Sequence, residues 1–434
     1  MLKIRGKGPR GKRRLPPPCP YEIGSAATAT ALLGLVACSL RGLQLLAVVP
    51  LRLQGALVAY ISGLCLLDEH PTACAMADKL GISHDRLTRL TGDLGFSACR
   101  VMGLLVALVQ HLGRRGWLII DDVLLPHRGG KQMEGVYWDY DHAEQKNVRG
   151  MRVVLILWTD GRWRLPVAFA LWHKKGTTLR RYRSKNTLAL LLVRWVRRQG
   201  IVPQYLTFDS WYASQDNLRQ FSAWGLCWVT RIKKNARLTW QGKPLLATTV
   251  GRRLLQARRP YTFRQLALQG RSTQLDWGRL KGVTFAVVRQ NLDGEKPALK
   301  YLLCNQPLAT RQLIERYKSR WQVEVFFRDC KQHLGLASYQ GRSVEGAVRH
   351  LALVFLGAVV LDALKGKIMT LGEVKKTAQH FIVINDAQGK PRLALQTLPD
   401  WSNPQMVDQA QRLVKTQLKA VSILRLPKQK RKAA

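Results

Sequence analysis

Acidic residues are scarce in this chain of 434 residues, which has 27 Asp and Glu against 70 Lys and Arg and a formal net charge of +43. Such an excess of one sign repels itself in a compact fold unless a polyanion is bound, so we expect nucleic acid as the partner. A structural basic protein would share the charge, but such proteins are usually short and poor in tryptophan, and this chain has 13. A membrane surface is a weaker interpretation, because the basic residues are spread along the whole sequence.

Cysteines at paired spacing are also lacking. None of the eight cysteines has a second cysteine at CxxC spacing, which excludes the common zinc sites and indicates a cytosolic protein. Residues 3–20 form a basic, proline-rich arm, so we expect no signal peptide. The apolar stretch Ala26–Leu40 has about 15 residues, short of the roughly 20 that a membrane span needs, and we predict a buried helix and no membrane contact.

Apolar residues make up 47% of the sequence, enough for a globular protein of two or three domains. We predict that residues 1–112 form the basic arm and a helical DNA-binding domain. Within it, Thr72–Leu90 resembles a helix-turn-helix: a first helix ends at Gly81, and a second carries Arg86 and Arg89 as candidate DNA contacts. An ordinary helical hairpin is the alternative.

From Trp117 the sequence alternates between short apolar runs and helical patterns, which predicts an α/β domain over residues 113–232. The predicted order is β-β-β-α-β-α-β. Its elements are Trp117–Ile120, Met151–Trp158, Trp163–Trp172, Lys185–Arg198, Tyr205–Asp209, Ala213–Trp224 and Leu226–Ile232.

The remaining sequence divides into three segments. Residues 233–305 hold several short strand-like runs between glycine turns and are predicted to be a β-rich insertion. Helices resume in residues 306–372, at Thr310–Gln332 and Ser343–Lys365. Residues 373–434 form a C-terminal segment that ends in a basic tail.

One predicted helix carries a phenol, a guanidinium, a carboxylate and an ammonium on one face. At about 100° per residue, Tyr317, Arg320, Glu324 and Lys331 lie within roughly 60° of each other around the helix axis. A single acid among cations suits a site that handles phosphate and metal together.

Three acids are therefore candidate ligands of a metal. Asp121, or its neighbour Asp122, ends the first predicted strand, Asp209 ends a later one, and Glu324 lies on the helix after the insertion. Three converging carboxylates resist ionisation unless a cation neutralises them, and Mg²⁺ does so through a few carboxylates, water and substrate phosphate. Each acid has an ordinary alternative, since a strand-end aspartate is often a turn residue and Glu324 could pair with an arginine one helical turn away.

The pattern Tyr317-x2-Arg320-x3-Glu324-x6-Lys331 resembles the Y-R-E-K signature of bacterial insertion-sequence DDE transposases, the insertion sequence four-like superfamily. The region from Asp121 to Gly150 is similar to the first-acid region of that family. The resemblance covers roughly residues 110–370. It implies a ribonuclease-H-like catalytic core that is interrupted by the β-rich insertion and preceded by the helical N-terminal domain.

The resemblance implies a role for each matching residue. Asp121 or Asp122, Asp209 and Glu324 would bind two Mg²⁺ ions, for which Mn²⁺ could substitute. The cationic neighbours would hold the phosphates of the transposon end, and Trp321 would pack beneath the site or contact a base. The candidate DNA contacts on this helix are Tyr317, Arg320, Trp321, Arg328 and Lys331.

The first acid departs from the family pattern, which is Asp-x-Thr or Asp-x-Ser. Val123 stands at the hydroxyl position if Asp121 is the ligand, and Leu124 stands there if Asp122 is. The strand alignment favours Asp121, and the doublet leaves the choice open.

The predicted function is that of a DNA transposase of the bacterial cytoplasm and nucleoid. It would bind the terminal inverted repeats of its element, pair them as a homodimer, cleave the ends and join the 3′-OH groups to target DNA. One alternative is a domesticated, non-catalytic DNA-binding regulator. Another is a structure-specific nuclease or RNA-processing enzyme on the same fold, and a metal-independent carboxylate-pair hydrolase fits the charge poorly.

Overall fold

The structure is a computed structural model that describes most of the chain between residues 45 and 395. The described ranges are 45–67, 71–113, 115–176, 182–257, 260–263, 268–290, 298–365, 370–378, 381–385 and 391–395, with Val36, Ser39 and Leu40. The predicted basic arm, most of the predicted helix Ala26–Leu40 and the basic tail lie outside these residues.

The N-terminal part of the described chain is helical, as the sequence predicts. A 3-10 turn at Leu45–Val48 precedes four helices, which are α1 (Leu51–Leu66), α2 (Ala73–Leu80), α3 (His84–Gly92) and α4 (Ala98–Leu112). The turn between α2 and α3 follows the expected chemistry, because Gly81 takes the left-handed conformation with φ of 65°. Leu87 and Leu90 are buried, while Arg86 and Arg89 are exposed on α3. The helix pair therefore exists, and its DNA binding stays a prediction.

The central part of the chain forms a mixed α/β core. Its strands are β1 (Trp117–Pro126), β2 (Tyr137–Asp141), β3 (Lys146–Thr159), β4 (Arg164–Trp172), β5 (Leu206–Phe208) and β6 (Trp228–Arg231). Helix α5 (Lys185–Arg198) precedes β5, and helix α6 (Gln215–Ala223) connects β5 to β6. Strands β1, β5 and β6 run parallel side by side, with Ile120 opposite Phe208 and Phe208 opposite Thr230. These three strands place their carboxyl ends at one edge of the sheet.

Strand β1 is longer than the sequence predicts. The prediction ended it at Ile120, but β1 continues through Asp121 and Asp122 to Pro126. The antiparallel neighbour β3 pairs with all ten residues of β1, whereas the pairing of β1 with the parallel neighbour β5 stops at Ile120. At the two aspartates the pairing with β5 has ended, while the pairing with β3 continues. The backbone there therefore stays extended, and its edge toward β5 is no longer paired with that strand.

The predicted β-rich insertion continues the core sheet. It contains β7 (Arg237–Trp240), β8 (Lys243–Leu246), β9 (Tyr261–Phe263), β10 (Leu268–Trp277), β11 (Leu280–Gln290) and β12 (Ala298–Cys304). Strand β12 pairs with β6, so the described strands join in the order β2-β3-β1-β5-β6-β12-β11-β10-β7-β8, with β4 on β3 and β9 on β10. The insertion also contains helix α7 (Ala247–Ala257), which the prediction missed.

The helix that carries Glu324 is broken. The sequence predicts one helix over Thr310–Gln332, but the structure has α8 (Thr310–Lys318) and α9 (Trp321–His333). At the break the hydroxyl of Ser319 donates to the carbonyl of Arg316 at 2.6 Å, and the phenol of Tyr205 donates to Ser319 at 3.0 Å. A serine that bonds back to the preceding turn competes with the regular helical bonds and bends the helix.

The C-terminal part of the described chain packs around a long apolar helix, α10 (Val344–Leu364), which is followed by α11 (Leu371–Ala378) and a hairpin of β13 (Phe381–Asn385) and β14 (Pro391–Leu395). By length and composition α10 could cross a membrane, a test that the core helix of a soluble protein also passes. Since 83% of its apolar window is buried inside the fold, α10 has the environment of a core helix.

A buried ion cluster ties β4 to the two helices α9 and α10. The guanidinium of Arg164 donates to Asp329 on α9 and to Asp362 on α10, each at 2.7 Å, and all three residues are more than nine-tenths buried. A buried charge without a partner is costly, so each member of this cluster depends on the others. The cluster fixes α9, which carries Glu324, against the core.

We predict that Arg164→Met lowers the free energy of unfolding by about 3–5 kcal/mol, because it leaves Asp362 buried without its ion pair and Asp329 with only Arg328, at 3.8 Å. Urea unfolding followed by circular dichroism measures the loss. Arg198→Met, at an exposed arginine of α5, is the matched control and should change stability by less than about 0.5 kcal/mol. Equal effects of the two substitutions would show that the cluster does not hold the core.

Candidate active site

Three elements bring three acids to one cavity at the carboxyl edge of the parallel strands. Asp121 comes from β1, Asp209 follows β5, and Glu324 lies in the first turn of α9. The cavity measures about 750 Å³ and is lined by Asp121, Asp122, His142, Ala143, Asp209, Ser210, Arg231, Tyr317, Arg320, Glu324, Phe327, Arg328, Lys331 and Gln332. The structure thus places together the acids and the cationic helix face that the sequence singled out.

Arg320 bridges two of the acids. Its Nη1 donates to Oδ2 of Asp121 at 2.9 Å, and its Nη2 donates to Oε1 of Glu324 on the same side of the helix. The side chain is only 17% exposed, and its Nε has no hydrogen-bond partner within the described part of the chain. The guanidinium therefore serves as the cation between a strand acid and a helix acid.

Asp121 and Asp209 lie in an environment that opposes their ionisation. Burial raises the pKa of Asp121 to about 7, with Arg320 lowering it in part and the negative charges of Asp209 and Asp122 raising it further. Burial also raises the pKa of Asp209, to which Asp122 contributes. Carboxyl groups in this state favour an added cation, because the cation removes the penalty for the charged form.

Asp122 also lines the cavity, but its oxygens are already engaged. It accepts from the phenol of Tyr212 at 2.7 Å, from Nη1 of Arg152 at 2.7 Å and from Nζ of Lys185 at 3.1 Å. Burial alone would raise its pKa, but Lys185, Arg152 and Tyr212 together lower it below the usual value. Asp121, in contrast, has Arg320 and the backbone N–H of Asp122 as its hydrogen-bond donors.

The other predicted phosphate contacts surround the acids. The guanidinium carbon of Arg320 lies 5.8 Å from the ring centre of Tyr317, and burial raises the pKa of that phenol. Burial lowers the pKa of Lys331, which faces the cavity from the next turns of α9. Arg328 lines the same cavity. These side chains are placed to meet an anion in front of the acids.

Some predicted site residues lie elsewhere. Trp321 is 59% exposed and does not line the cavity, so the structure does not pack it beneath the site. Arg86 and Arg89 lie on α3, away from the lining residues. Conversely, Arg231 lines the cavity from the end of β6, and His142 from the turn after β2. Arg231 is the last residue of the parallel strand β6, and Asp209 directly follows the parallel strand β5. This shared position at the end of a strand could have identified Arg231 from the sequence.

The donor set suits a hard divalent cation, although the acids are not gathered into a ready ligand set. Among the described residues, no group of three or more His, Cys, Asp and Glu side chains is close enough to hold an ion. The reason is visible in the contacts, since the guanidinium of Arg320 lies between Asp121 and Glu324. Carboxylates with raised pKa values in one polar cavity nevertheless have the chemistry that Mg²⁺ prefers.

The sequence matches the profile of a family described as the DDE superfamily endonucleases over residues 45–283. The match covers more than half of the chain, and the protein belongs to this family. It is therefore a DDE-type, transposase-like nuclease, a class that generally uses divalent metals and acts on DNA. The match includes Asp121, Asp122 and Asp209 but ends before Glu324, and it does not single out the Y-R-E-K superfamily. No curated protein matches the chain.

We predict that Asp121→Asn and Asp122→Asn differ in stability. Asp122→Asn leaves Lys185, about nine-tenths buried, without its ion pair and leaves Arg152 paired with Asp139 alone, so it should lower the free energy of unfolding by about 3 kcal/mol. Asp121→Asn replaces a carboxyl group that resists ionisation and should change stability by less than about 1 kcal/mol. Urea unfolding in a buffer without divalent cations compares the two. Equal losses of stability would contradict the assignment of Asp122 as the aspartate held by buried cations and of Asp121 as the one open to the cavity.

Proposed function

We propose that this protein is a DNA transposase that cleaves the ends of its own element and joins the 3′-OH groups to target DNA. The observation that carries the proposal is the single cavity that holds Asp121, Asp209 and Glu324 with Arg320, Arg231 and Lys331 around them. The acids suit metal ions and the cations suit phosphate, which is the combination that phosphodiester chemistry needs.

Asp121, Asp209 and Glu324 would hold the metal ions, two Mg²⁺ in the proposed mechanism. When bound, such ions activate a water or a 3′-hydroxyl and stabilise the leaving oxygen. Asp122 is the weaker candidate for a ligand, because Tyr212, Arg152 and Lys185 already satisfy its oxygens. We infer that Asp122 instead positions the edge of β1 on which Asp121 lies.

Arg320 has two roles in this proposal. In the metal-free protein its guanidinium neutralises Asp121 and Glu324. Binding of a cation by these acids requires Arg320 to give up at least one of them, which frees N–H groups for a phosphate oxygen. Arginine suits this exchange because its planar fork binds carboxylates and phosphates alike.

The charge of the whole chain supports DNA as the substrate. A net charge of +43 favours binding to the phosphate backbone, and such binding weakens steeply as salt increases. Recognition of terminal inverted repeats, the helix pair α2–α3 as a DNA-binding unit and a homodimer in the synaptic complex belong to the same proposal. So does a location on DNA in the bacterial cytoplasm.

We predict that wild-type protein nicks DNA carrying the sequences that flank its own gene, that the nicking needs Mg²⁺, and that EDTA abolishes it. Glu324→Ala should reduce the nicking rate by at least about a hundredfold, because it removes a metal ligand on which both chemical steps depend. Glu315→Ala is the matched control, since Glu315 lies on α8 and its side chain is half exposed in a surface pair with Arg311.

The same assay separates the alternatives. Nicking that is equal in the wild type and Glu324→Ala contradicts the catalytic assignment, as does activity that survives EDTA. Absence of nicking with retained DNA binding would indicate a non-catalytic regulator. Nicking without transfer of the cleaved end to a second labelled duplex would indicate a nuclease, so strand transfer is measured with the same protein and DNA.

A further inference from the structure

A second cavity lies beyond the carboxyl end of β1 and is separate from the acidic one. It measures about 690 Å³ and is formed by the loop 126–133, the segment 337–342 and Thr72 at the start of α2. Among the described residues that line it, none is acidic. Glu134, next to the loop, does not face the cavity, and its carboxylate accepts from the backbone N–H of Val344 at 3.2 Å.

The cavity is lined by a histidine that is almost fully buried. His127 is 92% buried, and its Nε2 has no hydrogen-bond partner among the residues that the structure describes. Its backbone N–H donates to the carbonyl of Arg149 at 2.8 Å, which extends the β1–β3 pairing by one residue. Burial lowers the pKa of His127, which favours a neutral imidazole with one N–H. An unpaired buried polar group of this kind costs about 1–3 kcal/mol, which a hydrogen bond with a water or a ligand would offset.

The rim of the cavity is cationic. Lys131 and Arg342 both line it and are exposed, and neither side chain forms an ion pair within the described ranges of the chain. Thr72, the N-cap residue of α2, lines the third side, so the positive end of that helix lies beside the cavity. Two cations, a helix N-terminus and a buried imidazole, with no carboxylate among the described lining residues, suit an anion.

We infer that this second cavity binds one phosphodiester group of the DNA backbone, at a fixed distance from the acidic cavity. The inference rests on the proposed DNA substrate. His127 and Asp121 lie six residues apart along the same extended segment and therefore on the same face of the sheet. At about 3.3 Å per residue, their separation is roughly 20 Å, which corresponds to about six base pairs along one DNA strand.

A backbone phosphate fits the lining better than a free nucleotide does. Tyr339 is the one aromatic residue other than histidine among the lining residues, and its hydroxyl donates to the carbonyl of Ser343 at 3.3 Å. A nucleotide site would need a planar side chain that stacks on the base, whereas a phosphodiester needs only the hydrogen-bond donors and cations that line this cavity. The exposed rim also allows a long duplex to pass across the opening.

The test measures how binding of a labelled random-sequence duplex depends on salt, in EDTA so that no DNA is cleaved. Lys131→Gln/Arg342→Gln removes the two rim cations, and Gln340→Glu adds a carboxylate at an exposed lining residue with almost no change of shape. Lys243→Gln/Arg237→Gln and Gln256→Glu make the same changes at exposed residues outside both cavities. Thermal unfolding of each variant confirms that it is folded.

If one phosphate contact is lost, the slope of log K against log salt becomes shallower by about 0.9 in both cavity variants and stays unchanged in both controls. Equal slopes in cavity variants and controls overturn the inference. Inorganic phosphate is the second probe. If it raises the unfolding temperature of the wild type but not of Lys131→Gln/Arg342→Gln, and the slopes do not differ, the cavity takes free phosphate and the DNA assignment fails.

These outcomes are independent of cleavage. A protein that does not nick its flanking DNA can still show the difference in slope, and this would support the phosphate site while contradicting the transposase. A protein that nicks its flanking DNA but shows equal slopes in the cavity variants and the controls would support the transposase and contradict the phosphate site. Random-sequence DNA also makes the result independent of any specific terminal repeat.

Discussion

The repulsion between buried carboxyl groups on neighbouring parallel strands is the constraint around which the site is arranged. The pairing of Ile120 with Phe208 places Asp121 and Asp209 at the same edge of the sheet. Burial raises the pKa of both, and the negative charge of Asp122 raises each pKa further, so a cation favours their ionising together. Arg320 supplies that charge to Asp121 and also reaches Glu324. This arginine lies in the short break between α8 and α9, as the N-cap residue of α9.

Charge neutralisation also organises the layers behind the site. Lys185 and Arg152 hold Asp122, so one member of the aspartate doublet is committed to structure and the other faces the site. Deeper still, Arg164 joins β4 to α9 and α10 through two buried acids. A protein with few acids thus uses many of them in buried pairs, and its excess of cations remains available at the cavity rims for phosphate.

Much of this arrangement could be predicted from the sequence, because the spacing of apolar residues and the residues that form turns are local features of the chain. The helix ending near Gly200, the hairpin at Asp160-Gly161 and the polar face of the Glu324 helix are all present. The length of β1 depends instead on which strand pairs with each of its edges. The break between α8 and α9 depends on a hydrogen bond between Ser319 and Tyr205, which lies far away in the sequence. Helix α7 was missed because its β-branched residues favour strands, although its buried positions are spaced as in a helix. The cavity beside His127 joins segments about 200 residues apart and has no local signal.

Asp121, Asp209 and Glu324 are proposed to converge on one metal site. Cleavage of the protein backbone by bound Fe²⁺ with ascorbate and peroxide tests it most directly, since Fe²⁺ occupies hard oxygen sites and cuts nearby peptide bonds. We predict cuts near residues 121, 209 and 324 that Mg²⁺ suppresses and that Asp209→Asn removes at all three places. Cuts confined to one of these segments, or centred elsewhere in the chain, would show that the three acids do not share a metal site.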